Sequence, residues 1–189
     1  MSITTIVLIV LGIIILGIII VFNSFVSLRN RTKEAWADIE VQLKRRYDLI
    51  PNLVNTVKGY AAHESVTFEK ITEARSNAMQ AGTRAEKGEA ENILSGTLKS
   101  LFAISEAYPD LKANTNFQQL QAELSDIENK LAAARRFFNN AVGEYNTGRE
   151  QFPAVIFVGM FGFGPREFFD VGEESRASMD AAPPQVKFN

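Results

Sequence analysis

Few side chains in this sequence have the types and spacing for chemistry. His63 and Glu64 form an H-E pair, the start of a zinc-peptidase helix motif, but that chemistry needs a second histidine four residues on, and position 67 is Thr. The sequence has one histidine and no cysteine, which excludes thiolate metal sites, disulfides and cysteine nucleophiles. Ser65 or Ser95, with His63 and Asp48, supply the residue types of a hydrolytic triad, yet neither a nucleophile elbow nor a glycine-rich oxyanion loop accompanies them. No enzymatic activity, cofactor, metal or small-molecule substrate is therefore expected. A net charge of −2, from 20 Lys and Arg against 22 Asp and Glu, also speaks against nucleic acid, whose phosphates need a concentrated excess of cations on one face.

What remains is the chemistry of ion pairs and apolar contact. Arg45 and Arg46 form one cationic pair and Arg135 and Arg136 another. Arg46 falls in the heptad frame at a position that points towards the core, and an antiparallel packing would bring Asp48, Asp126 and Glu128 within its reach. Two readings stay open: ion pairs that set helix register, or a basic patch for a partner or for self-assembly. Trp36, the sole tryptophan, lies on an apolar stripe and serves either core packing or an interface. Residues 153–169, PAVIFVGMFGFGPREFF, carry Phe157, Phe161 and Phe163 among three glycines. That stretch either folds over the end of the body to complete its core or leaves an apolar patch for self-association or bilayer contact.

The elements that must position these residues read as helices. Residues 30–64 place Trp36, Ile39, Leu43, Ile50, Leu53, Val57 and Ala61 at steps of three, four and seven, one stripe on one helix face. The stripe keeps its phase across Pro51, which removes the hydrogen bond to the Tyr47 carbonyl at a cost of about 3 kcal/mol in a helix interior. A kink is therefore expected there rather than a hairpin turn. The stripe resumes at Phe68, Ile71, Ala74 and Ala78, and the gap at Glu64 and Ser65 marks a polar layer or a shift of register. A turn at Gly82 and Thr83 leads into a second helix over 85–108. A short loop follows Pro109, and Thr115 with Gln118 has capping-box spacing at the start of a third helix. Its residues Phe117, Leu120, Leu124, Ile127, Leu131, Ala134, Phe138, Ala141 and Tyr145 form the most regular heptad pattern in the sequence. A fourth, shorter element is expected over 153–160. Short connections favour an antiparallel bundle within one chain over a parallel coiled coil between chains.

Ahead of these helices, residues 3–22 read ITTIVLIVLGIIILGIIIVF, twenty residues without a charge, enough to cross about 30 Å of hydrocarbon as a helix. Sixteen are Ile, Leu, Val or Phe, so insertion is favourable by an upper bound of roughly 5 to 10 kcal/mol. A cleaved signal peptide does not fit, for want of a basic n-region, a short apolar stretch and a small-residue cleavage site. Gly12 and Gly17 are five apart and make no GxxxG dimerisation face. Arg29, Arg31 and Lys33 follow the span with only Glu34 against them, so the amino terminus is expected outside and the body in the cytoplasm. Those three cations lie within about 10 to 17 Å of the span, near anionic headgroups. Lys44, Arg45 and Arg46, about 33 Å on, lie several Debye lengths away.

The runs AWADIEVQLKRRYDLIPNLVNTVKGYAAHE and TNFQQLQAELSDIENKLAAARRFFNNAVGEYN, followed by Phe152 and Pro153, resemble the bacterial LemA family over most of the chain, residues 22–169. The resemblance implies a single-pass membrane protein of the bacterial cytoplasmic membrane, with an up-and-down helical bundle in the cytoplasm and no established biochemical activity. It also implies genomic company with membrane zinc peptidases, an association that points to a membrane protein partner. Tyr47 stands where many members have His, and Phe138 where Tyr is usual. A family role that required that His is not carried over.

The expected architecture is all-α: a transmembrane signal anchor over 1–22 continuing into an antiparallel bundle over 23–169, with three long helices and a short C-terminal one, then a flexible tail over 170–189. The candidate interface residues are Arg45, Arg46, Arg135, Arg136, Phe157, Phe161 and Phe163. The expected function is a non-enzymatic scaffold that self-assembles as a homo-oligomer at the lipid bilayer. The alternative is an adaptor or regulator of a membrane enzyme such as a zinc peptidase.

Overall fold

The computed structural model describes residues 2–169 and is all-α, with no strand among them. The expected tail, 170–189, lies outside the described residues. Six helices follow one another among those described: α1 (Ile3–Lys58), α2 (Ser65–Gln80), α3 (Arg84–Ala107), α4 (Pro109–Lys112), α5 (Thr115–Glu150) and α6 (Ala154–Phe157). The amino-terminal part of α1 is long and apolar enough to cross a membrane, and none of its most apolar window is buried among the described residues. No glycine or proline interrupts the helix between Phe22 and Ile50, so the apolar run passes into the body as continuous helix.

The described residues divide into two compact units, one of residues 2–42 with Asn129–Phe168 and one of Leu43–Glu128 with Phe169. In the first, α1 and α5 run antiparallel: Phe25 meets Tyr145, Arg31 binds Glu144, and Trp36 meets Phe138, the numbers falling on one helix as they rise on the other. Trp36 is half-buried, its ring centroid 5.3 Å from that of the fully buried Phe138, and its Nε1 donates to Glu40 at 2.8 Å. In the second unit, the stripe Leu43, Ile50, Leu53 and Val57 of α1 is buried, as are Phe68, Ile71, Ala74 and Ala78 of α2, Leu94, Leu98 and Leu101 of α3, and Phe117, Leu124 and Ile127 of α5.

The expected first body helix is two helices. α1 continues through Pro51 but ends at Lys58, and residues 59–64 form a turn before α2. The reason is visible in the pattern: after Ala61, which is buried, residues 62–67 offer no large side chain on the inward stripe until Phe68, so a straight continuation would leave the core face unfilled. Turning back instead lays Phe68 and Ile71 into that core.

The passage through Pro51 has its own explanation. Pro51 has no N–H for the carbonyl of Tyr47, one turn earlier, and that carbonyl accepts instead from Arg75 Nε of α2 at 2.7 Å. The acceptor orphaned by proline thus becomes a tie between two helices. Arg75→Leu is expected to cost about 1–3 kcal/mol by leaving that carbonyl unsatisfied in a largely buried residue. The loss should shrink in a Pro51→Ala background, where the helix supplies its own donor. Denaturant midpoints of the two single variants and the double variant check this.

The ends of the later helices carry caps. Thr83 Oγ1 accepts from Glu86 N at 3.2 Å while the Glu86 carboxylate accepts from Thr83 N at 2.9 Å, a complete capping box for α3. Those bonds, from the Thr83 backbone first and then its hydroxyl and the Gly82 backbone, hold the Glu86 carboxyl below the usual carboxylate range. The capping box expected at Thr115 and Gln118 does not form. Asn114 caps α5 instead, its side-chain oxygen accepting from Phe117 N at 3.0 Å. Thr115 is already the first helical residue, and Gln118 Nε2 donates to the Lys112 carbonyl at 3.0 Å. The expected loop after Pro109 is the one-turn helix α4, which buries Leu111 fully.

Candidate functional site

Two arrangements in the structure use the residues singled out above, one in each unit. The first centres on Arg46, on the core face of α1 and almost entirely buried. Its Nη1 donates to Glu91 of α3 at 2.8 Å, and its Nη2 donates to Ser95 Oγ at 2.8 Å and to Glu128 of α5 at 3.3 Å. Glu91 is fully buried and also accepts from the Tyr47 hydroxyl. That hydroxyl lies 3.4 Å from the Ala78 carbonyl of α2 as well. One guanidinium, two carboxylates and one phenol therefore tie together four helices of this unit.

Of the partners expected for Arg46, Glu128 is found. Asp48 binds Lys44 at 2.6 Å on the exposed side, because residues two apart on a helix face different ways. Glu91 is not among the partners expected from the sequence, although its spacing carries a signal: Glu91, Leu94, Leu98, Leu101 and Ser105 lie at helical spacing, and all five are buried. A carboxylate in phase with an apolar stripe needs a buried cation, and Arg46 was the arginine on such a stripe.

Chemically this cluster is a set of charge-assisted hydrogen bonds centred on one guanidinium. Ser95 serves Arg46, Asp48 serves Lys44, and His63 is exposed in the turn after α1. No hydrogen bond joins the three among the described residues. Nor do the described residues bring three of His, Asp or Glu together in a metal-binding group.

The second arrangement is the strap formed by residues 152–168 in the first unit. Ala154, Val158 and Phe163 pack with Phe25 and Tyr145 in one buried cluster, against which Val21, Val26 and Leu28 of α1 lie. After α6 the chain turns back in a Schellman geometry, Phe163 N donating to the Val158 carbonyl at 3.0 Å and Gly162 N to the Gly159 carbonyl at 3.3 Å. Gly162 has φ of +69°, where a side chain would be strained. Side chains of α5 hold the returning strand of chain. The Tyr145 hydroxyl donates to the Gly164 carbonyl at 3.0 Å, Arg149 Nε to the Phe163 carbonyl at 2.7 Å, and Asn146 exchanges two bonds with the backbone of Arg166 at 2.8 and 3.0 Å. Arg29 lies 5.7 Å over the Phe163 ring and Arg166 5.3 Å over that of Tyr145.

The strap has two faces. Its inner one completes a core, through Phe163. Its outer one leaves Phe152 and Met160 each 80% exposed, with Val155, Ile156 and Phe161 also outside. Among the candidate interface residues, Phe161, Arg45 and Arg136 are thus exposed, Arg135 and Phe157 half-buried, and Arg46 and Phe163 buried.

Similarity to known proteins adds to this geometry. The sequence pattern that defines the LemA family matches residues 35–188. The magnetosome protein MamQ of Magnetospirillum gryphiswaldense is 24% identical over 174 residues, covering 78% of this chain and 64% of that protein. Protein LemA of Metamycoplasma hominis is 26% identical over 126 residues, covering 66% of this chain and 58% of that protein. The chain spans less than two thirds of the length of either relative. None of these names describes an enzyme.

Proposed function

We propose, from the premise that this chain belongs to the LemA family, that it is a non-enzymatic scaffold anchored in the bacterial cytoplasmic membrane by α1 and self-assembling there through its helical body. The observation that carries this reading is the unbroken passage of α1 from an apolar, unburied run into the packed body. A span joined by continuous helix to the α1–α5 pair of the first unit, without a flexible linker, makes each copy present that pair in one orientation. Confinement to a plane then raises the effective concentration of like faces. Arg29, Arg31 and Lys33 support a cytoplasmic body. Candidate contact residues on the exposed side of the helices are Arg136 and Phe137, the latter 44% exposed with Arg31 5.5 Å over its ring, and Arg45 in the other unit.

The mass of the full-length protein extracted in native membrane patches tests this, beside a chain beginning at Asn23. The expected result is a discrete multi-subunit mass that falls to one subunit without the span. A single subunit in both preparations would overturn self-assembly and turn attention to whatever membrane protein co-purifies.

A further inference from the structure

The outer face of the strap lies where α1 leaves its apolar run. Phe161 meets Phe22 edge-on with ring centroids 5.2 Å apart, and Phe163 meets it at 5.7 Å. Phe152 and Pro153 line the same groove as Ile20 and Val21. These three α1 residues, Ile20 to Phe22, close the twenty-residue uncharged stretch, and at about 1.5 Å per residue they lie within roughly 3 Å of its end. If that stretch is in hydrocarbon, side chains touching its last turn are at the same depth.

We propose that the outer face of the strap, through Phe152, Ile156 and Met160, is seated in the headgroup–acyl boundary of the bilayer that α1 crosses. This rests on the anchor reading above and adds a second lipid contact to it. Aromatic and apolar side chains at that depth are stabilised by partial burial in the boundary region, as in other interfacial segments. Charge fits as well: Arg29 and Arg149 are both half-buried against Phe163, and both are cations that suit anionic headgroups beside an apolar face. A second copy fits less well, because one border of this face is the span itself, whose neighbour is lipid. The strap would fix the tilt and rotation of α1 at the membrane surface, which a single helix does not fix alone.

Depth-resolved quenching in vesicles of phosphatidylcholine and anionic phosphatidylglycerol tests the proposal on the full chain. Trp36→Phe removes the native fluorophore, and Met160→Trp and Ile14→Trp are made separately in that background, with far-UV helicity matched to the parent. The expected result is quenching of both reporters by brominated lipids, the one at position 160 most strongly by bromine on shallow acyl carbons. Quenching at position 14 with none at position 160 would overturn the lipid contact while leaving the anchor in place. Quenching at neither would overturn both. Emission at position 160 that shifts with protein density, without any response to bromine, would give the face to a second copy and overturn the bilayer as its occupant.

Discussion

Arg46→Leu is expected to lower the stability of the body by about 3–5 kcal/mol, because it strips the Glu91 carboxylate of its cation while leaving it fully buried. For a chain of this size that corresponds to a fall in the thermal midpoint of roughly 6–20 °C. The Tyr47 hydroxyl still donates to Glu91, but one neutral donor does not balance a buried negative charge. Arg46→Lys should lose less, since it keeps the charge and gives up only the fork that reaches Glu91, Ser95 and Glu128 together. The double variant Arg46→Leu with Glu91→Leu should recover most of the loss of the single one, because desolvating a pair offsets much of what the pair gains. Thermal unfolding of the detergent-solubilised full chain, followed by far-UV circular dichroism, checks all three. Additive losses in the double variant would mean that the two residues act independently and that the pair is not what holds this unit in register.

Tyr145→Ala is the second large effect, expected at about 3–5 kcal/mol for removal of a buried aromatic ring. The ring is 1% exposed, packs edge-on against Phe25 with centroids 6.0 Å apart, and carries Arg166 over its face. Its hydroxyl also holds the strap through the Gly164 carbonyl. Tyr145→Phe isolates that bond and should cost about 0.5–1.5 kcal/mol, with the ring packing kept. The two variants should differ in a second readout: limited proteolysis within 153–169 should accelerate strongly for Tyr145→Ala and only slightly for Tyr145→Phe. Equal cleavage rates in the parent and in Tyr145→Ala would show that the strap is held by Asn146 and Arg149 without help from the ring.

The paired losses expected at Arg46 and Tyr145 belong to different units, and the structure gives each its own reason. In the unit of Arg46 the core is bridged by charge; in the unit of Tyr145 it is closed by aromatic packing beneath the strap. Neither arrangement contains a group of three His, Asp or Glu residues that could hold a metal, among the described residues. What both do is hold helices in place.

The sequence by itself determined the properties that depend on one residue and its near neighbours. Twenty uncharged residues are long enough to cross hydrocarbon wherever the rest of the chain goes. Steps of three and four put Leu43, Ile50 and Val57 on one face whatever that face meets, and the same count turned Arg46 inward. Tertiary structure decided the pairings, because periodicity shows which face is inward and not which helix it meets. It chose Glu91 for Arg46 over the sequence-near Asp48, and it gave the Tyr47 carbonyl to Arg75, so α1 passes Pro51 as helix. It ended α1 at Lys58, where the next apolar residues serve the core better by turning back than by running on. It also divided the phenylalanines of the strap, burying Phe163 by the turn at Gly162 and leaving Phe161 outside beside Phe22. Two residues apart and alike in type, they are separated only by which side of that turn faces Phe25.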